Sequence, residues 1–166
     1  MQTKIRKINL TAFRHLFVSI VYVDMDNVIV DFKSALRKRG IDEGMKDADN
    51  LDGIFSEMDP MPGAIDGYNK LVEMGHDVYI LSTAPWNNPS AWSDKLLWVK
   101  KYLGEVAYKR LILSHNKNLN KGDYLIDDRD KNGAGDWNEK LLRFGFDEHG
   151  EPFDYPDWDS IIKFFT

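Results

Sequence analysis

Apolar and polar positions fall into alternating blocks along this chain. Ser19 to Asp24 is a short apolar run without helical period, which predicts a strand buried on both faces, as in parallel sheets. From Asp31 to Arg39 the spacing turns helical, with Phe32, Ala35 and Leu36 on one side and Gly40 as the stop. Residues 41–57 are acidic and polar, with only Ile41, Met45, Leu51, Ile54 and Phe55 to bury, so one or two short helices are expected there. Pro60, Pro62 and Gly63 break the chain before a helix over Ala64–Gly75 that turns Ile65, Tyr68, Leu71 and Val72 inward. Asp77–Ser82 reads as a second strand. Trp92, Leu96, Val99 and Leu103 form an apolar stripe that predicts an amphipathic helix over 91–103 with Trp92 in the core. Leu111–Ser114, Tyr124–Asp127 and Leu141–Phe146 give three more strands, and Trp158–Phe165 a closing helix.

Strands that alternate with helices predict an α/β fold: a Rossmann-like, doubly wound parallel sheet of about five strands. A small helical cap, residues 32–59, is inserted after the first strand, and the core takes in 17–31 and 60–166. Residues 1–16 stand apart as a basic arm. The first 23 residues hold no acid and carry Lys4, Arg6, Lys7 and Arg14. A targeting segment has this character, but the apolar run that would be its core leads straight into Asp24 with no small-residue cleavage site between.

Composition narrows the partners. The 166 residues fit one compact domain, and 43% are hydrophobic, enough for a sizeable core. A net charge of −5 argues against a nucleic-acid polymer. No apolar run approaches the roughly 20 residues of a membrane span, and the sequence has no cysteine for a disulfide or thiolate site. A cytoplasmic monomer or homodimer is expected.

The candidate chemistry sits at the strand ends. The first strand ends on Asp24 and Asp26, one residue apart, and alternate residues of an extended segment point the same way. Like charges at short range oppose each other's ionisation, so a divalent cation, a retained proton or both must offset the cost. The second strand ends on Ser82-Thr83, the third leads to Ser114-His115-Asn116-Lys117, and the fourth ends on Asp127-Asp128. In open α/β sheets ligands sit beyond these carboxyl ends. An Asp pair or a Ser-Thr pair alone is commonly a turn or a cap; all of them at successive strand ends suit phosphoryl transfer. Asp24 and Asp127 can seat Mg²⁺, which prefers hard oxygen ligands. Lys117 can place a positive charge on the transferring oxygens and Ser82 can donate a hydrogen bond. Asp24 is then the nucleophile and Asp26 the general acid and base.

These motifs, in this order, resemble the haloacid dehalogenase superfamily of phosphohydrolases. More narrowly, Val23-Asp24-Met25-Asp26-Asn27-Val28, Met61-Pro62-Gly63-Ala64, Leu81-Ser82-Thr83-Ala84-Pro85, Trp98-Val99 and Leu125-Ile126-Asp127-Asp128-Arg129 are similar to the 5′(3′)-deoxyribonucleotidase family. The resemblance implies a Mg²⁺-dependent phosphatase of a small phosphate monoester, a 5′ or 3′ deoxyribonucleoside monophosphate, working through an aspartyl-phosphate. It implies that Asp26 joins Asp24 and Asp127 as a metal ligand through its backbone carbonyl, with Asp128 behind them. It also implies that Phe32 helps line a pocket disfavouring a ribose 2′-hydroxyl. Thr83 and Trp86, beside the second motif, are placed to contact substrate together with Lys117. Three features depart from the family: Asn27 stands where Gly is usual, the cap is short, and the basic arm is extra. Asn tolerates the left-handed backbone that such a turn needs. Another small metabolite such as a sugar phosphate is the alternative substrate. A phospho-accepting receiver or non-catalytic module is the alternative class, though receivers lack an acid at the position of Asp26.

Overall fold

The computed structural model describes residues 18–166, so the basic arm over 1–16 lies outside the described residues. Among the described residues seven strands and four α-helices follow in chain order: β1 Ile20–Val23, β2 Val30–Asp31, α1 Phe32–Arg39, β3 Asp59–Pro60, α2 Ala64–Glu73, β4 Asp77–Ser82, α3 Pro89–Tyr102, β5 Leu111–Leu113, β6 Tyr124–Asp127, β7 Lys140–Arg143 and α4 Trp158–Phe165. Five strands form one parallel sheet in the order β5-β4-β1-β6-β7. The chain winds outward from β1 first to one side and then to the other, so β1 sits at the switch point where such sheets bind ligands.

Burial on both faces explains the unbroken apolar strands. Val21, Val23, Ile80 and Ile126 pack on one face with Tyr68 and Leu71 of α2, Trp98 of α3, and Trp158 and Ile161 of α4. On the opposite face Tyr22, Leu81 and Leu125 are covered by Ala134 and Trp137. Trp158 also reaches across the molecule, its indole N–H donating to the Val28 carbonyl at 2.8 Å.

β2 and β3 pair antiparallel, Val30 opposite Pro60 and Asp31 opposite Asp59, and form the stem from which the segment 32–59 leaves the sheet and returns. Inside it are α1 and two 3₁₀ turns, Ala48–Asn50 and Ile54–Glu57. Asp31 caps α1 by accepting from the Ser34 N–H, and Gly40 ends it with φ 66°. Few side chains hold the segment inward: Ala35, Leu36, Ala48, Ile54, Phe55 and Met58 are its buried apolar residues. Arg39 pairs with Glu57 at 2.7 Å, tying the helix to the second turn.

One helix is turned differently from its apolar spacing. On α3 the stripe Trp92-Leu96 faces outward, 39% and 42% exposed, so Trp92 is not a core residue. It lines a shallow groove of about 590 Å³ along the edge strand β5, with Leu96, Val99, Leu111 and Leu113. Val99 and Leu103 of the stripe are buried as expected, and the rest of the buried face is Ala91, Asp94, Lys95 and Trp98. Two polar anchors hold that face in: the Trp98 indole N–H donates to the Met58 carbonyl at 2.8 Å, and Lys95 donates to the Asp26 carboxylate.

Candidate active site

The carboxyl ends of β1, β4 and β6 bring Asp24, Asp26, Ser82, Asp127 and Asp128 together, and the turn after β5 adds Lys117. A tight turn follows β1: the N–H groups of Val28, Ile29 and Val30 all point to the Met25 carbonyl. Asn27 takes the left-handed conformation there, φ 60°, so the turn keeps its shape without glycine. Asn27 Nδ2 donates to Asp128 Oδ2 at 3.2 Å, which links the loops after β1 and β6.

Two buried lysines divide the acids between them. Lys117 Nζ lies 3.0 Å from Asp24 Oδ1 and 2.5 Å from Asp127 Oδ2. Burial alone depresses an ammonium; the charges of Asp24 and Asp127 more than offset this and hold the Lys117 pKa above its ordinary value. Lys95, with no exposed side-chain surface, donates to both carboxylate oxygens of Asp26 at 2.8 Å and to Ser82 Oγ at 3.0 Å. Ser82 Oγ accepts there, which leaves its own hydrogen free to donate. The Thr83 hydroxyl is already committed, donating to the Ser114 carbonyl at 2.7 Å.

The residue that sequence reasoning missed is Lys95. The first half of the stripe, Trp92 and Leu96, drew the helix face away from its true buried side, and a lysine inside a helix is ordinarily solvated. The signal that could have found it is the alternative stripe Ala91-Lys95-Trp98-Tyr102, which has the same helical spacing. Removing the Lys95 charge while keeping its stem, Lys95→Met, is expected to lower kcat about 10²-fold, the scale of one lost donor at a charge-stabilising site. Steady-state kinetics with a thermal melt separates this from unfolding; a folded variant within about twofold of wild type would remove Lys95 from the reacting centre.

The acids are not equivalent. Burial first, and Asp24 second, push Asp127 up to about 7 against the pull of Lys117. The same two causes push Asp128 up to about 6. Burial also raises Asp26, opposed by Lys95 and reinforced by Asp24. One oxygen each of Asp24, Asp127 and Asp128 lie within 4.8 Å of one another. The Asp26 carboxylate is turned to Lys95 instead. Asp127 has both oxygens engaged, Oδ2 by Lys117 and Oδ1 by the Arg129 N–H at 3.0 Å. Asp128 Oδ1 is buried without a hydrogen-bond partner among the described residues. That oxygen meets only the Arg129 Nε, at 3.7 Å, and its place beside two further acids is a fit for a hard cation such as Mg²⁺.

The site opens into a cavity of about 620 Å³. Asp26, Phe32, Thr83 and Trp86 all line it, with Phe55 and Met45 added by the segment 32–59. Trp86 is 79% exposed and meets the His115 ring edge-on at 6.0 Å between centroids.

A parallel sheet bearing this set of acids, hydroxyls and lysines at its carboxyl edge, with a small insertion after the first strand, defines a phosphohydrolase of the haloacid dehalogenase superfamily. The family model described as 5′ nucleotidase, deoxy (Pyrimidine), cytosolic type C protein matches residues 45–138, more than half of the chain. A Vibrio phage KVP40 protein named as a 5′(3′)-deoxyribonucleotidase is 51% identical over 150 residues, covering 89% of this chain and 84% of its own. A Bordetella bronchiseptica protein of the same name is 32% identical over 131 residues, 72% and 69% of the two chains. The human cytosolic-type 5′(3′)-deoxyribonucleotidase is 26% identical over 141 residues, 66% and 70%. The chain belongs to the 5′(3′)-deoxyribonucleotidase family and is a phosphoric monoester hydrolase. Among the described residues no helix is long and apolar enough to cross a membrane.

Proposed function

We propose that the chain hydrolyses 5′ or 3′ deoxyribonucleoside monophosphates through a phosphoryl group carried transiently on Asp24. The observation that supports this most is the division of the acids by Lys95 and Lys117, which gives adjacent carboxylates different roles. Asp24 sits beside a lysine that can also neutralise phosphate oxygens. Its free oxygen attacks phosphorus as the bond to the leaving oxygen breaks. Asp26, whose affinity for a proton is raised by burial, gives that proton to the leaving nucleoside oxygen. A water then attacks phosphorus, Asp26 takes its proton, and the acyl-phosphate bond breaks to free phosphate and restore the Asp24 carboxylate. Ser82 donates to the phosphate oxygens in both steps, and Lys95, whose three hydrogens go to Asp26 and Ser82, holds those two side chains and adds its positive charge.

Mg²⁺ is the cation this donor set suits, and Asp24 with Asp128 would hold it, since both oxygens of Asp127 are occupied. This shifts the second carboxylate ligand from Asp127 to its neighbour and gives Asp127 the task of fixing Lys117. When bound, the ion withdraws charge from the phosphate and weakens its repulsion of Asp24. Phe32, Phe55 and Trp86 enclose the nucleoside, with the segment 32–59 as its cover and Thr83 as part of the wall. The small size of that cover suits loose discrimination between deoxyribose and ribose.

Phosphate release from a panel of deoxyribo- and ribonucleotides, with an aryl phosphate beside them, tests the reading. Hydrolysis is expected to stop in excess chelator and return with added Mg²⁺. Asp128→Asn is expected to weaken Mg²⁺ binding about tenfold or more, read both from activity and from the loss of Mg²⁺-induced thermal stabilisation. Weakening by Asp127→Asn with none by Asp128→Asn would return the ligand role to Asp127. Turnover of sugar phosphates above all nucleotides would overturn the substrate class.

A further inference from the structure

Asp128 is held at both ends by residues from other elements. Asn27, in the turn after β1, donates from Nδ2 to Asp128 Oδ2 at 3.2 Å. A carboxylate only accepts, so the amide turns its NH₂ toward it. The Asn27 backbone is fixed in its turn, its N–H donating to the Val30 carbonyl at 2.8 Å. Arg143, the last residue of β7, stands opposite Asp127 in the sheet. Its Nη2 donates to the Asp128 carbonyl at 3.1 Å. The guanidinium lies over the Phe153 ring, 4.6 Å from the centroid, which fixes the direction in which it donates. Asp127 uses neither of these partners, because Lys117 and the Arg129 N–H take its two oxygens.

A competitor for Asp128 is close by. The half-exposed Arg129 side chain has its Nε 3.7 Å from Asp128 Oδ1, too far for a hydrogen bond. A carboxylate able to turn closes on a guanidinium in a two-point, charge-assisted pair. Such a pair would draw both oxygens of Asp128 away from the cluster it forms with Asp24 and Asp127. The Asn27 amide claims Oδ2 and keeps that pair from closing. Oδ1 is left buried, with no hydrogen bond among the described residues. An unpaired buried oxygen is costly. Two hydrogen bonds that hold it in that state leave it ready for another partner.

We propose that Asn27 and Arg143 are positioning residues for the cation: they hold Asp128 so that its unpaired oxygen meets Mg²⁺ and does not close on Arg129. They act through Asp128 and are not themselves ligands. This rests on the reading above, in which Asp128 is the second carboxylate ligand, and adds what fixes that ligand. Partners of this kind that orient a ligand are commonly worth 10–100-fold in metal affinity.

The test reads the melting temperature of the full chain against Mg²⁺ concentration, with no substrate present, for the wild-type protein, Asn27→Gly and Arg143→Met. Glycine accepts φ 60° without steric cost, so Asn27→Gly removes the amide and keeps the turn. Methionine keeps an unbranched stem beside Phe153 and removes the donor to Asp128. The Mg²⁺ concentration for half of the stabilisation is expected to rise about tenfold in each variant. The Mg²⁺ dependence of aryl phosphate hydrolysis is expected to move by the same factor, while kcat at saturating Mg²⁺ changes by less. A role in folding alone would lower the melt equally with and without Mg²⁺ and leave half-saturation where it was. Unchanged half-saturation in Asn27→Gly would overturn the proposal, whatever Arg143→Met does, and leave the nucleotidase reading standing. A wild-type protein that Mg²⁺ does not stabilise, and that hydrolyses the aryl phosphate in excess chelator, would overturn the Mg²⁺ reading and this inference with it.

Discussion

Asp24→Asn is expected to remove hydrolysis almost completely while the fold remains. The side chain is buried at the end of the central strand, so an amide of the same shape keeps the packing. It loses the attacking oxygen and one of the charges that hold Lys117. Loss of a covalent nucleophile costs more than the weakening of any one binding contact, and a fall of more than about 10³-fold in kcat is expected on every substrate. The melt is expected to move little, because removing one carboxylate also relieves the crowding that raises Asp127 and Asp128. Residual turnover of a few per cent in a carefully purified variant would sink the covalent route.

Asp26→Asn should separate proton transfer from phosphoryl transfer. Asp26 lies two residues beyond Asp24, yet its carboxylate is claimed by Lys95 and not by the three-acid cluster. An amide there cannot protonate a leaving nucleoside, whose alkoxide is a poor leaving group, and general acid catalysis is worth about 10²–10⁴-fold. An aryl leaving group departs without help. The fall in kcat is therefore expected to reach about 10³-fold on nucleotides and to stay within about tenfold on p-nitrophenyl phosphate. An equal fall on both would show that Asp26 serves only to position Lys95.

The fold was legible because strands buried on both faces are apolar throughout and cannot be mistaken for surface, as Val21-Tyr22-Val23 and Leu125-Ile126 illustrate. The site was legible where it coincides with a strand end, since the chain itself marks the place: Asp24, Ser82 and Asp127 each stand at or just past the last apolar residue. Lys117 followed from the same logic one turn later. Lys95 did not, because its burial depends on partners from two other elements, Asp26 and Ser82, that no local pattern reveals. The competing stripe through Trp92 was truly apolar but belongs to the groove beside β5. The adjacent acids Asp127 and Asp128 were equally opaque. Which of the two keeps an oxygen without a hydrogen bond is decided by Lys117, a tertiary contact, together with the Arg129 N–H two residues on.

The covalent route requires that Asp24 carry the phosphoryl group between substrate and water. A rapid acid quench during steady turnover of dCMP and dUMP, with Mg²⁺ present, followed by peptide mass analysis, tests it most directly. The expected result is the mass of one phosphoryl group on the peptide containing Asp24, absent without substrate and absent in Asp24→Asn. Single turnover in ¹⁸O-labelled water is expected to leave label in the released phosphate, and a second turnover to add none from Asp24 itself. Phosphate released at the wild-type rate with the peptide unmodified at every quench time, or with label found first in the Asp24 carboxylate, would contradict the account.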